Sequence, residues 1–228
     1  MKQAERQERS RSEILRAAME EFGTHAYEEV SVESICSAHG ISKGMMYHYY
    51  SGKETLFLLC VGHVFESLCA FVRAHPMQSP CTGLDSVYAL FSVREAYFRS
   101  RPKEKNVFEE AMFRTPRALE GEIDRLREPL RALNVERLQQ AARGLRLRRS
   151  LTAEQVTRYL ESVEHAFWTL IRQYNQGKRP QDLRQMEEIS MQILDMALFG
   201  VIEPPDAPGA GTQASSGACQ DGNPPAGL

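Results

Sequence analysis

Apolar residues in this chain return every third or fourth position, and nowhere do they hold a sustained every-second-residue alternation. A period near 3.6 belongs to a helix with one buried face, and a period of 2 to a strand. The Asp221-Gly222 pair, a turn signal of the hairpin kind, has no β-branched segments beside it. An all-α fold is therefore expected. Helix starts are written into the same text. Ser10 with Glu13, Ser51 with Glu54 and Thr152 with Gln155 have capping-box spacing, and Pro102 and Pro116 sit where a first helical turn tolerates a missing N–H.

These signals order the chain. Ile14, Leu15, Ala18, Met19 and Phe22 mark one face of a helix opening at Ser10 and ending at Gly23. Val32, Ile35 and Cys36 give a short helix behind Ser31, closed at His39-Gly40, and Ile41-Ser42 opens a third that runs to about Tyr49. A longer helix starts at the Ser51 box and carries apolar residues to Leu68, ahead of a loop from Pro76 to Pro80. Further helices are expected around Leu84 to Phe98, Lys103 to Phe113, Pro116 toward Arg143 with a kink at Pro129, and Leu183 to about Phe199. Between the last two, Val156, Leu160, Val163, Phe167, Leu170 and Tyr174 alternate in steps of four and three, the spacing of a packed helical seam. From Glu203 the chain turns to Pro and Gly with almost no apolar bulk, and a disordered tail over 203–228 is expected.

A chain of 228 residues is long enough for one large domain or two small ones. The longest apolar run, Leu56 to Phe65, is broken by Gly62 and His63 and falls short of the roughly 18 residues a membrane span needs. Met1 to Arg16 alternate Lys or Arg with Glu and contain no apolar core, so neither membrane nor secretory signal is expected and the cytoplasm is the expected compartment. Cysteines at 36, 60, 69, 81 and 219 are odd in number and irregularly spaced, which points to free thiols. Phosphate loops, zinc-protease pairs, nucleophile elbows and dinucleotide fingerprints do not occur, so neither an enzyme nor a cofactor is expected.

The segment from Ser31 to Lys53, SVESICSAHGISKGMMYHYYSGK, has helix-turn-helix spacing around Gly40. With Met46 and Tyr50 turned inward, Lys43, Gly44, Met45, Tyr47, His48 and Tyr49 point outward or to the edges. One lysine and three rings with no carboxylate suit a phosphate backbone and a groove floor. Lys43 can reach a guanine edge or a phosphate, Gly44 lets backbone come close, and tyrosine hydroxyls can donate to phosphate oxygens. Lys53 sits at the next helix's N-terminus, where ammonium and amides can hold one phosphate together, and the arm adds Lys2, Arg6, Arg9 and Arg11. Against this, Met1 to Cys60 holds more Glu than Lys plus Arg, and net charge is −2. A plain helical hairpin with surface tyrosines fits the spacing as well.

Residues Ile14 to Phe65 resemble the DNA-binding domain of the TetR family of bacterial transcriptional regulators. The likeness is carried by ILRAAMEEFGTHAYEEVSVESICSAHGISKGMMYHYYSGKETLF, which is similar to that family's opening helix, its Phe-to-Gly turn, its Ser- or Thr-led second helix and its third-helix signature. It departs at His39, Met45 and Tyr50, where Ala, a small or hydroxylated residue, and Phe are usual. The resemblance implies a DNA-binding domain over 1–50 and a helical effector-binding and dimerisation domain over 51–202. It implies phosphate contacts at Tyr47, Tyr49 and Lys53, with Ser31 as a further donor beside Ser42. Base edges fall to Lys43, Gly44 and Met45.

The same resemblance implies a homodimer on a palindromic double-stranded operator, released by a small effector. The seam from Val156 to Tyr174, with Met186, Ile193 and Ala197 on the last helix, offers a four-helix dimer surface or, alternatively, an intrachain core. For an effector the middle helices offer Tyr88, Phe91, Phe98, Phe108, Met112, Phe113, His165 and Trp168, with Arg94, Glu95, Glu109 or Arg114 as polar anchors; such a lining suits a hydrophobic or aromatic molecule. Two other readings stand beside this one. Cys60 and His63, three apart, would suit a thiol- or metal-sensing regulator, and an all-helical protein-binding adaptor would never touch DNA.

Overall fold

The computed structural model describes residues 2–75, 84–114, 116–142, 150–152, 154–159, 161–163, 166 and 182–199. Among these residues the regular structure is helical and no strand occurs, as the apolar period predicts. The helices are α1 (Lys2–Phe22), α2 (Val32–His39), α3 (Lys43–Tyr49), α4 (Lys53–Ala74), α5 (Leu84–Arg99), α6 (Pro102–Phe113), α7 (Glu120–Ala142) and α8 (Leu183–Phe199). Short 3-10 turns lie at Tyr27–Glu29 and Arg117–Leu119. The expected tail, the Pro76 to Pro80 loop and the seam residues Leu160, Phe167, Leu170 and Tyr174 lie outside the described residues.

Two local readings need correction. Helix α1 opens at Lys2, not Ser10, because its first two turns are built from Gln, Ala, Glu and Arg, good helix formers able to pair along an exposed face. The Ser51 box does not close. Gly52 is the cap of α4 without a side-chain bond, and Ser51 Oγ instead meets Thr55 Oγ1 at 2.9 Å. Pro129 lies inside α7, as expected; Pro129 and Arg125 are both exposed, so water can take up the carbonyl that the proline leaves without a donor. The Thr152 box closes in both directions, at 2.9 and 3.2 Å.

Helix α4 is the spine. Leu56, Phe57, Cys60, Val61, Val64, Phe65, Leu68, Cys69 and Val72 are buried along it, and α1, α5, α6 and α7 pack around it. It is long and apolar enough by length and composition to cross a membrane, contrary to the reading of a short broken run, because Gly62 and His63 interrupt the apolar sequence only singly. Half of that stretch is buried inside this fold. Each large apolar side chain removed from water contributes about 1.5 to 3 kcal/mol, so the nine buried on this helix make it a major contributor to the core. Phe57 sits between Phe22 and Tyr27 at ring distances of 5.1 and 4.9 Å, both edge-on, and Phe65 meets Phe108 at 5.8 Å. At the other end, Arg137 of α7 donates to the Val72 carbonyl at 2.9 Å, beside the His75 amide that reaches the same oxygen at 3.3 Å, and so ties α7 to the last turn of α4.

Gly23, at the end of α1, lies against the first turn of α6. A Cβ there would fall 2.5 Å from Lys103 Cβ and 2.6 Å from the Met19 carbonyl oxygen, and Asn106 Nδ2 donates to the Gly23 carbonyl at 2.8 Å. Close approach, not backbone angle, requires glycine here. Gly23→Ala is expected to cost about 1 to 3 kcal/mol, by the logic of overpacking, read as a lower urea midpoint with unchanged slope.

Candidate nucleic-acid interface

Helices α2 and α3 are joined by a turn that the sequence dictates. Gly40 takes φ 65°, in the left-handed region that side chains avoid, and the Ile41 amide returns to the Cys36 carbonyl at 3.0 Å. Ser42 caps α3 by accepting the Met45 amide at 3.1 Å. Ser31 caps α2 through a reciprocal pair in which its hydroxyl accepts the Ser34 amide at 2.9 Å and its own amide donates to Ser34 Oγ at 3.0 Å. Ile41 and Met46 are buried beneath α3, and Tyr50 is half-buried beside them. With that side anchored, the opposite side must face solvent.

Ser42, Lys43, Gly44, Tyr47 and His48 are exposed, and Tyr47 shows 51% of its surface, unusual for so large a ring. Met45 and Tyr49 lie half-buried at the edges; Tyr49 stacks edge-on with His48 at 4.8 Å, and the Arg11 guanidinium of α1 lies 5.8 Å from its ring. Beside Gly44 a Cβ would meet nothing within 4 Å. Nothing in the chain itself demands glycine there, so its small size matters only to something arriving from outside.

Both lysines of the expected contact set are engaged by their own chain. Lys43 Nζ pairs with Glu33 of α2 at 3.0 Å, with both side chains more than half exposed. That bond raises the Lys43 pKa and holds the Glu33 carboxyl below its ordinary value. Because the carboxyl value is depressed, the pair is complete above the ordinary carboxylate range and is lost only as pH falls through the lowered value. Lys53, first residue of α4, donates to the Glu28 carbonyl at 3.3 Å and lies 4.2 Å over the Tyr27 ring, a cation-π contact. Tyr27 is in turn held from below, where its amide donates to the buried Glu110 carboxylate of α6 at 3.2 Å. Glu33, Tyr27 and Glu110 were not legible as parts of this surface, since each acts on it from another element.

Elsewhere the expected sites separate. Phe108, Met112 and Phe113 are buried on α6, with the Phe108 ring tilted against that of Phe98 at 5.1 Å, so they fill core. Tyr88 and Phe91 lie on α5 with side chains outside the described residues, as do His165 and Trp168 entirely. Val163, Met186 and Ile193 are buried within the single chain, whereas Val156 and Ala197 are half-buried. Cys60 is buried with its thiol pushed up to about 12 by desolvation, while His63 points to solvent, so the two do not converge. Among the described residues no group of three His, Cys, Asp or Glu side chains could hold a metal.

Residues 14–60 match the family model described as bacterial regulatory proteins, tetR family. That segment is similar to the TetR type. The TetR-type match takes in α2, α3 and the opening of α4, together with the C-terminal part of α1. Over 49 residues the chain is 43% identical to the HTH-type transcriptional repressor AcnR of Corynebacterium glutamicum, covering 22% of this chain and 26% of that one. The match thus spans about a quarter of that repressor's length. The whole helical plan is similar to the fatty acid degradation regulator FadR of Bacillus halodurans, at TM-score 0.53 and 14% identity over 84% of this chain and 96% of the other. That likeness is one of fold.

Gly44→Ala is expected to leave stability within about 1 kcal/mol of the parent while lowering DNA affinity about tenfold or more, a split read by urea melts and fluorescence anisotropy. Lys53→Ala is expected to weaken all DNA sequences alike and to flatten the plot of log affinity against log salt by about one unit. Glu33→Gln, which frees Lys43, is expected to raise affinity about two- to tenfold.

Proposed function

We propose that this chain is a DNA-binding transcriptional repressor of the TetR type, acting in the cytoplasm as a homodimer on a palindromic operator and released by a small-molecule effector. The observation that carries this reading is the outer face of α3. Lys43, Gly44, Tyr47 and His48 stand exposed there with no carboxylate of their own helix among them, over a buried Met46 that fixes their direction. Such a helix fits a major groove about 12 Å wide. The tyrosine hydroxyl and the lysines reach phosphates, and the bare Gly44 allows backbone to approach base edges. The named relative AcnR is a repressor, which favours that sign of control.

Two copies are needed because one short recognition helix reads too few bases for specificity. A two-fold dimer places its two helices about 34 to 36 Å apart, one helical turn, and so reads a palindrome. The seam proposed for the second copy runs along residues 156–174 and the outer side of α8. Leu151 and Tyr159 stand exposed close to it in sequence, and Tyr159 Oη donates to the Ala197 carbonyl, tying the described part of the seam to α8. Effector release follows from linkage: a ligand that prefers one spacing of the recognition helices shifts the dimer away from the DNA-bound form by its difference in affinity.

Selection of bound DNA from a random-sequence pool at physiological salt tests the reading. A recovered palindrome is the expected outcome. Loss of that enrichment in Lys43→Ala with Tyr47→Phe would place the contact on α3. A folded dimer that enriches nothing would sink the operator and favour a protein-binding role for the same face.

A further inference from the structure

Lys43 and Glu33 are bonded across two helices, Nζ to Oε1 at 3.0 Å, with more than half of each side chain exposed. Lys43 opens α3, and Glu33 lies in the first turn of α2. Neither is loose at its base. Ser31 and Ser34 close the start of α2 around Glu33 through bonds of 3.0 and 2.9 Å, and the Glu33 carboxylate also accepts from its own amide. Ser42 fixes the first turn of α3 by accepting the Met45 amide. The exposed Tyr47 follows Lys43 one turn along the same helix. A donor and an acceptor thus stand side by side at a set spacing, beside the residues proposed to face DNA. In a helix-turn-helix the first residues of the second helix are those that reach base edges.

We propose that Lys43 and Glu33 together read one G·C base pair in each operator half-site, Lys43 on the guanine and Glu33 on the cytosine. This rests on the regulator reading above and names the chemistry of its DNA contact. In the major groove guanine offers O6 and N7 as acceptors, and cytosine offers its N4 amino group as a donor. Guanine O6 and cytosine N4 are hydrogen-bonded to each other, about 2.9 Å apart. The ammonium and carboxylate of the protein are 3.0 Å apart. The ammonium therefore meets O6 and the carboxylate meets N4 without the two side chains parting. Four groups close a ring in which every donor faces an acceptor. A phosphate makes the opposite demand, because it reaches Lys43 only against the repulsion of the Glu33 carboxylate.

The three other base pairs fail for separate reasons. C·G and A·T put an amino group opposite the ammonium and an acceptor opposite the carboxylate. T·A keeps the sense at O4 and N6, but the thymine methyl stands where guanine has N7, and adenine N7 brings an acceptor to the carboxylate side. Glu33 is thereby a specificity-determining residue and not only a brake on Lys43. Of the two partners expected for Lys43 from the sequence, a guanine edge and a phosphate, the pairing selects the guanine edge.

The test is selection from a random duplex pool with the parent, Lys43→Ala and Glu33→Ala, followed by fluorescence anisotropy on the recovered operator. The parent should recover a G·C pair at one position of each half-site, and both variants should lose preference at that same pair while keeping the rest. Replacing the pair by T·A should weaken the parent about tenfold or more and each variant less than about threefold. The double variant should discriminate no worse than either single one, because two residues that act as a unit are not additive. Placing 7-deazaguanine in the pair should weaken the parent and leave Lys43→Ala unmoved, a readout that a merely structural ion pair does not give. Glu33→Gln should gain more affinity for the T·A operator than for the G·C one. Circular dichroism and urea midpoints confirm that each variant is folded. A folded Glu33→Ala that keeps every base preference, or two variants that relax different base pairs, overturns the proposal and leaves the regulator standing. A folded parent dimer that enriches no sequence overturns both.

Discussion

The seating of Phe57 between Phe22 and Tyr27 is the contact on which the recognition domain depends. It joins the end of α1, the 3-10 turn and the first turns of α4 in one apolar knot, so the helix-turn-helix is not a free module but a cap on the spine of the molecule. Below the knot a buried carboxylate, Glu110, accepts the Tyr27 amide and pairs with Arg114. A carboxylate in such a place is costly unless its oxygens are bonded. Here both oxygens have partners, one of them on the element that the site above needs held still. Above the knot the Tyr27 ring supports Lys53. Position and charge at the surface are thus settled by packing one layer down.

Charge at rest on this surface is nearly compensated. Lys43 has Glu33, Lys53 has a carbonyl and a ring, and the whole molecule carries a formal charge of only −2. Exposed pairs of this kind contribute little to stability, at most about 1 kcal/mol, but they set what an arriving phosphate must displace. In the proposed contact that exchange would reduce affinity for any polyanion, lowering adherence to wrong sequences more than to one that also met Tyr47 and the exposed backbone at Gly44. Weak background attraction with a shaped recognition face is a route to specificity for a domain richer in Glu than in Lys and Arg.

The docking of Gly23 on Lys103 and the packing of Phe108 against Phe65 and Phe98 belong to one helix of twelve residues. A short rigid element with different partners on its two faces moves as a unit, because packed interiors resist continuous deformation. Its location ties the helical body to the knot around Phe57.

Much of this was legible in the sequence, and the reason differs by element. Helix α2, the Gly40 turn and the cap at Ser42 are local: φ of one glycine and a hydroxyl three residues from its amide decide them, so residue type and spacing suffice. Burial of Met46 and exposure of Tyr47 followed from helical period alone. The last helix was likewise plain from its apolar spacing. By contrast, Ser10 and Ser51 have the letters of a cap without the role, because neighbouring helix formers extended one helix and a Ser-Thr contact replaced the other bond. Phe108 and Phe113 looked like ligand-facing aromatics and are core, since period tells which face is apolar but not whether another helix or a ligand covers it. The pairing of Lys43 with Glu33, the support of Lys53 by Tyr27 and the hold of Glu110 on the Tyr27 amide join residues from separate elements. Such meetings depend on how helices cross, a property of three-dimensional packing that no window along the chain contains. Sequence by itself determined the helices and the outward face of the recognition helix, through local sterics and period; tertiary structure alone decided which charges oppose each other and what supports them.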